Sequence, residues 1–250
     1  MLDWYKADLH IHTVLSPCAE LSMGPIDIVE TAIKNELDII AITDHNSAEN
    51  VRAVMDVAKN KKLTVIAGME VYTREGAHMI CLFPGLENVM AFQEFIYDNL
   101  TPGIYDESFL GPQYVCDKNE NIINENKRFI GLPVKASIEN VANKVNEMSG
   151  IIYPAHIDRK SHSILRVLGF IPENIHVHAV EISLPPDQAK ERLRFLNNTQ
   201  YTILTASDAH DISMLGTKVT YFNIAAPNFA EIKKAIEKKD GRGAYLQLPD

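Results

Sequence analysis

Residues 10–12 read His-Ile-His within ADLHIHT (Ala7–Thr13). Successive side chains of a strand point to opposite faces, so two imidazoles two residues apart point the same way and can chelate one cation. This pair constrains the fold most, because the rest of the chain supplies matching donors at matching places. His45 follows DIIAIT, in TDHN; Glu70 ends a third apolar run, in GMEV; His156 follows IIYP, in PAHID; Asp208 and His210 follow TILTA, in SDAH, and repeat the spacing of two. His78 instead opens the run AHMICLF. A hairpin across the short VYTREG link would place the start of that run beside the end of the previous one, and His78 next to Glu70.

The rest of the chain alternates between the two periods. Strands are expected at Ala7–Thr13, Asp38–Thr43, Leu63–Glu70, Ala77–Phe83, Ile151–Pro154, Val177–Ile182, Tyr201–Ala206 and Lys218–Ile224. Helices are expected at Pro25–Glu36, Ala48–Lys59, Glu87–Leu100, from Ser137 to about Ser149, and at Ser161–Leu168, Asp187–Asn197 and Asn228–Lys238. Pro25 suits a first helical turn and Ser137 an N-cap. Alternating strands and helices imply a parallel sheet with helical crossovers. About seven such units favour a distorted, TIM-like (β/α)7 barrel within a single domain spanning 1–250. No glycine-rich phosphate loop follows the first strand, which weakens a dinucleotide-binding reading. Thr101–Lys135, with the polar stretch DKNENIINENK, breaks the alternation and reads as an inserted lid or arm in which QYVCD and NIIN could pair.

Six imidazoles and two carboxylates would gather at one end of such a barrel, where α/β barrels place their active sites. That set exceeds the needs of one ion and implies two or three, with bridging carboxylates. Mixed nitrogen and oxygen donors suit zinc, manganese or iron. A hydrogen-bonded structural role is the plainer reading for any one of these histidines alone, and the joint pattern is what favours metal. The formal charge of −9, from 33 acids against 24 bases, argues against a grip on long nucleic acid or on a membrane surface. Three cysteines, Cys18, Cys81 and Cys116, do not read as a disulfide framework. No run approaches the roughly 18 apolar residues of a spanning helix. A cytoplasmic protein is expected.

DLHIHT, ITDHN, GMEV, AHMICLF, PAHID and SDAH occur in order from Asp8 to His210, and together they resemble the PHP (polymerase and histidinol phosphatase) family. The resemblance implies a distorted seven-stranded barrel, a trinuclear site and phosphoesterase activity. By position it implies that His10, His12, Glu70 and Asp208 hold one ion, that His45 and His210 hold a second, and that Glu70, His78 and His156 hold a third, with Glu70 bridging. Many members carry another histidine a few residues after the first pair. That place here holds Cys18, which is either a further thiolate ligand or an inert thiol.

The expected chemistry is hydrolysis of a small phosphomonoester or nucleotide phosphate. A water shared by two cations loses its proton near neutral pH and can attack phosphorus in line. Glu70, Asp208 and His210 are the residues expected to bear most directly on it. Arg159 and Lys160, just after His156, are expected to contact the phosphate. Arg128 and Lys135 could reach in from the excursion. Asp8 and Asp44 are expected to orient the donors beside them, and Glu181 to line the pocket. His162, His176 and His178 fall off the pattern and read as structural or surface residues, and Trp4 as packing. Three alternatives stay open: amidohydrolase-like hydrolysis, an exonuclease acting on short oligonucleotides, and a non-catalytic metal-binding module.

Overall fold

The computed structural model describes residues 1–103, 105–185, 188 and 201–249. Eleven strands are described: β1 (Asp3–Ile11), β2 (Ile39–Ile42), β3 (Thr64–Tyr72), β4 (His78–Phe83), β5 (Tyr114–Cys116), β6 (Ile122–Glu125), β7 (Ile151–Pro154), β8 (Ala179–Ile182), β9 (Thr202–Thr205), β10 (Thr220–Ile224) and β11 (Gly243–Tyr245). The helices are α1 (Pro25–Lys34), α2 (Val51–Ala58), α3 (Leu86–Asp98), α4 (Glu107–Leu110), α5 (Ile138–Glu147), α6 (Ile164–Val167) and α7 (Phe229–Ile236). The helix expected at Asp187–Asn197 lies outside the described residues. No described helix is long and apolar enough to cross a membrane.

Seven strands form one sheet in the order β11-β10-β1-β2-β3-β4-β7. The β1–β2 and β2–β3 pairs are parallel, while β10, β11, β4 and β7 add antiparallel pairs. This corrects the expectation of a parallel barrel: the fold is α/β, but its main sheet is mixed and curls as part of a barrel. β8 and β9 pair in parallel as a separate ribbon. It meets β7 through two backbone bonds, His178 N to Ile152 O at 2.8 Å and Ile157 N to Glu181 O at 2.9 Å. The VYTREG hairpin predicted the antiparallel β3–β4 pair; those of β7, β10 and β11 left no such sign, because apolar periodicity reports burial and carries no information on strand direction.

Side-chain parity sorts the core into two layers. Ile39, Ala41, Ile66, Ile80, Leu82 and Tyr153 pack on one face with Phe229, Ile232 and Ile236 of α7. Ile40, Ile42, Met69, Cys81 and Ile152 pack on the other. There they meet Ile28 and Ala32 of α1, Val51 and Val54 of α2, Phe92 and Ile96 of α3, and Val141 and Val145 of α5, the three- and four-residue spacings of buried helix faces. Glu120 Oε1 accepts the Ile26 N–H at 2.7 Å in the first turn of α1. α5 opens on a capping box between Ser137 and Asn140.

β1 departs from strict alternation. Its register with β2 shifts between Asp8 and Ile11, where three steps of β1 oppose two of β2. Ala7 and Leu9 therefore belong to the first layer and Ile11 to the second. The bulge turns His10 and His12 toward the face of Glu70 and leaves Asp8 off it.

The excursion is tied down along its length. β5 and β6 form the expected hairpin. Asn50 donates to Tyr114 O and accepts from Cys116 N, at 3.0 and 2.8 Å. Val134 N donates to Tyr72 O at 2.8 Å. The helix expected at Ser161–Leu168 shrinks to α6, because His162 takes a left-handed backbone (φ 55°) that a helix cannot contain.

Candidate metal centre

Backbone pairs at the sheet rim bring the donor loops together. His12 N donates to Ala209 O and Ala209 N to His10 O, at 3.0 and 3.2 Å, which fastens SDAH to the first strand. Glu70 N donates to Asp44 O and Asn46 N to Glu70 O, at 3.1 and 2.9 Å, which fastens TDHN to the third. The β3–β4 hairpin sets His78 opposite Tyr72, and its Nδ1 lies 2.9 Å from Glu70 Oε1, as the hairpin reading predicts.

Glu70 is the hub. Its Oε1 lies 3.2 Å from His10 Nε2 and 3.3 Å from His156 Nε2; its Oε2 lies 3.3 Å from His12 Nε2 and 3.0 Å from His45 Nδ1. Asp208 Oδ1 stands 3.1 Å from His10 Nε2 and 3.2 Å from His12 Nε2. Every residue named here is buried. Three sets have donor atoms within 4.8 Å of one another: His10, His12, Glu70 and Asp208; His45, Glu70 and His78; and His12, His45 and His210. His156 touches the hub but stands outside the second set, which takes His45 instead.

Hydrogen bonds behind the donors fix their rings. Both oxygens of Glu181 lie 3.1 Å from His10 Nδ1, so that nitrogen carries the proton and Nε2 offers its lone pair inward. Glu181 also accepts His156 N at 3.1 Å, a larger part than the pocket lining expected of it. Asp44 accepts from Thr13 N, Thr13 Oγ1 and Ser16 Oγ at 2.7–2.8 Å. Ser16 Oγ, its proton committed to Asp44, accepts from His45 N at 3.2 Å and from His12 Nδ1 at 3.0 Å. Asp8 accepts from Ser207 N and Gly216 N, 3.0 and 2.9 Å away, and so anchors the loop ahead of Asp208. Burial lifts the Asp8 carboxyl to about 6. Asn46, His156 and Asp208 all hold left-handed backbones, with φ of 48°, 31° and 53°. Such positions cluster where a surrounding structure dictates side-chain aim.

The cluster calls for positive charge. Burial opposes ionisation of Glu70 and Asp208, yet the imidazoles around them hold both carboxyls well below the usual range. Burial likewise opposes charge on His12, but the Asp208 and Glu70 carboxylates beside it carry it up to about 9. Glu70 Oε2, Asp208 Oδ1, His45 Nδ1 and His156 Nδ1 are buried without a hydrogen-bond partner. Convergent lone pairs on buried imidazoles and carboxylates fit divalent cations, which compensate such charge directly.

A cavity of about 300 Å³ opens onto this cluster, lined in part by Pro17, Cys18, Tyr72, Gly131, Arg159 and His162. Arg159 pairs with Asp208 Oδ2 and is 37% exposed, so its guanidinium borders the space. Cys18 lines the cavity with His45 but belongs to none of the three sets among the described residues. Lys160 is exposed and outside the cavity lining. Arg128 covers the Tyr97 ring, 4.5 Å from its centroid, and is also absent from the lining, as is Lys135. His162, expected to be structural or at the surface, is exposed and lines the cavity. It follows no strand end, and only its backbone conformation, which sequence does not disclose, brings it there. Trp4 packs edge-on against Tyr245.

A family model described as "PHP domain" matches residues 8–168. A DNA polymerase III PolC-type of Ureaplasma parvum is 25% identical over 174 residues, 69% of this chain and 12% of that protein. The lesion-specific endonuclease Q of Pyrococcus furiosus superposes with a TM-score of 0.73 at 21% identity, over 97% of this chain and 58% of that one. A candidate metal-dependent phosphoesterase from Bifidobacterium adolescentis superposes with a TM-score of 0.53 at 18% identity, over 82% and 87%. The chain thus spans about an eighth of the polymerase and under two thirds of the endonuclease. The family match and the rim of buried histidines and carboxylates agree, and the chain belongs to the PHP domain family.

Proposed function

We propose that the chain is a metal-dependent phosphoesterase acting on a small phosphomonoester or a nucleotide phosphate. The observation that carries this reading is the Glu70 carboxylate, with nitrogens of five imidazoles within 3.3 Å of its two oxygens. Glu70 would bridge two or three divalent ions. His10, His12 and Asp208 would complete one site, His78 and His156 another, and His45 and His210 would hold a third, with Cys18 as a further donor. Bound there, zinc, manganese or iron supplies Lewis acidity and a water acidified toward neutral pH.

The chain's own residues bind and orient. Arg159 offers a bidentate cation to a phosphate on leaving Asp208. Glu181, Ser16 and Asp44 hold the donor rings so that little reorganisation accompanies reaction. A cavity of about 300 Å³ suits a small ligand. Residues 101–135 form an insertion whose Gly131 closes one side of that cavity.

A second reading, cleavage at the ends or lesions of a nucleic acid, is supported by likeness to endonuclease Q, solved with a 27-mer duplex carrying an abasic lesion at its active site. The deciding experiment offers the manganese- or zinc-loaded protein sugar phosphates, amino-alcohol phosphates, nucleotides and short oligonucleotides, with metal analysis of the same sample. Phosphate release from the small esters is expected. Oligonucleotide shortening alone would move the assignment to a nuclease. Silence on every phosphate ester with metal bound, or turnover of amides or lactones, would overturn it.

A further inference from the structure

Beyond the donors and Cys18, the cavity wall consists of Pro17, Tyr72, Gly131, Arg159, Ser161 and His162. Flat surface predominates in this set. The two rings are arranged around His78. His162 lies parallel to it, centroids 4.7 Å apart and planes 14° apart. Tyr72 stands edge-on to both, 4.6 Å from His78 and 5.0 Å from His162. The His162 carbonyl accepts His78 N at 2.8 Å, and Ser163 Oγ closes the loop onto Arg159 O at 2.9 Å. The main chain is therefore fixed while the His162 ring remains exposed at the cavity mouth. His78 covers one face of that ring, which leaves the other for a ligand.

We propose that His162, supported by Tyr72, is a stacking platform that makes this site selective for phosphate esters carrying a nucleobase over bare sugar phosphates. The proposal rests on the phosphoesterase reading. Tyr72 and His162 line the same cavity as Glu70 and Arg159, so a ligand with its phosphate near Glu70 and Arg159 would have its attached ring within reach of the platform. A ring face accepts any base, so discrimination among bases should be small. The stack should be worth about 5- to 100-fold in preference.

The test compares adenosine 5′-monophosphate with ribose 5-phosphate on the metal-loaded protein, by kcat/KM and by calorimetric binding. Wild type should prefer the nucleotide by about fivefold or more, with the difference in KM. His162→Ala should narrow that ratio to within about twofold, His162→Phe should retain most of it, and both should keep the wild-type metal content. Equal treatment of the two ligands by wild type, or an undiminished preference in His162→Ala, would overturn the platform while leaving the phosphoesterase standing. Tight nucleotide binding lost in His162→Ala, with no ester hydrolysed, would keep the platform and sink the phosphoesterase. If His162→Ala loses its metal, Tyr72→Leu takes its place, and a preference unchanged there overturns the proposal.

Discussion

The chain carries two His-x-His pairs, His10/His12 and His176/His178, and they diverge completely in surroundings. Ring separations barely differ, 5.2 Å in the first and 4.8 Å in the second. The first pair is fully buried, its Nε2 atoms 3.2 Å apart and both facing Glu70 and Asp208. In the second, His176 is exposed, and His178 spends its Nδ1 lone pair on Ile152 N at 3.2 Å. Its charged neighbours include Lys233, and it belongs to no donor set among the described residues. Spacing along a strand supplies aim. Buried carboxylates arriving from other strands supply the charge that makes aim useful.

Removing the hub should produce the largest contrast. Glu70→Gln keeps the shape and deletes the bridge; bound metal should fall by at least one ion per chain, and phosphate release by on the order of 10³-fold. Elemental analysis and a turnover assay read both, and a fully loaded, active variant would break the comparison. Next in size, His10→Ala/His12→Ala should empty the first site, while His176→Ala/His178→Ala should leave metal content at the wild-type level. Equal losses in the two doubles would mean that spacing alone matters.

A smaller effect is expected behind the first pair. Glu181→Gln exchanges the ionised acceptor of His10 Nδ1 for a neutral one and should weaken metal affinity about 10- to 100-fold, read by competition with a chelating dye. The smallest belongs to the second pair. Burial, then Lys233 and His176, depress His178 to about 4. The unfolded chain takes up this proton near pH 6.5 and the native chain only near 4. Stability tied to neutral His178 is therefore complete above pH 6.5 and drains away as pH falls toward 4. His178→Asn, which keeps an acceptor and cannot titrate, should flatten the wild-type decline between pH 7 and 5 by on the order of 1–2 kcal/mol in urea unfolding. Parallel pH profiles would remove His178 as the cause.

Most donors of the rim were legible in the sequence because each follows an apolar run, and the Glu70–His78 contact because a six-residue link between two such runs implies a hairpin. Other features were not. The bulge at Asp8–Ile11 is a matter of register, which composition cannot display. β11 is three residues with little pattern to find. Arg128 and Lys160 looked available because charge in a loop gives no direction; one covers Tyr97 and the other faces solvent. The excursion's polar composition gives no sign of where it is fastened: Asn46 Nδ2 donates to Ile130 O and Leu132 O at 2.7 and 2.9 Å, beside His45.

The left-handed backbones at His156 and Asp208 set evolution of this protein a choice. Each disfavours folding by about 1 kcal/mol that glycine would recover. A lineage selected only for endurance of heat would find relief at those two positions and surrender its donors in the act. Thermal hardening by consensus or random screening should therefore enrich inactive clones here, and a hardened variant that still turns over must draw its added stability from elsewhere in the molecule.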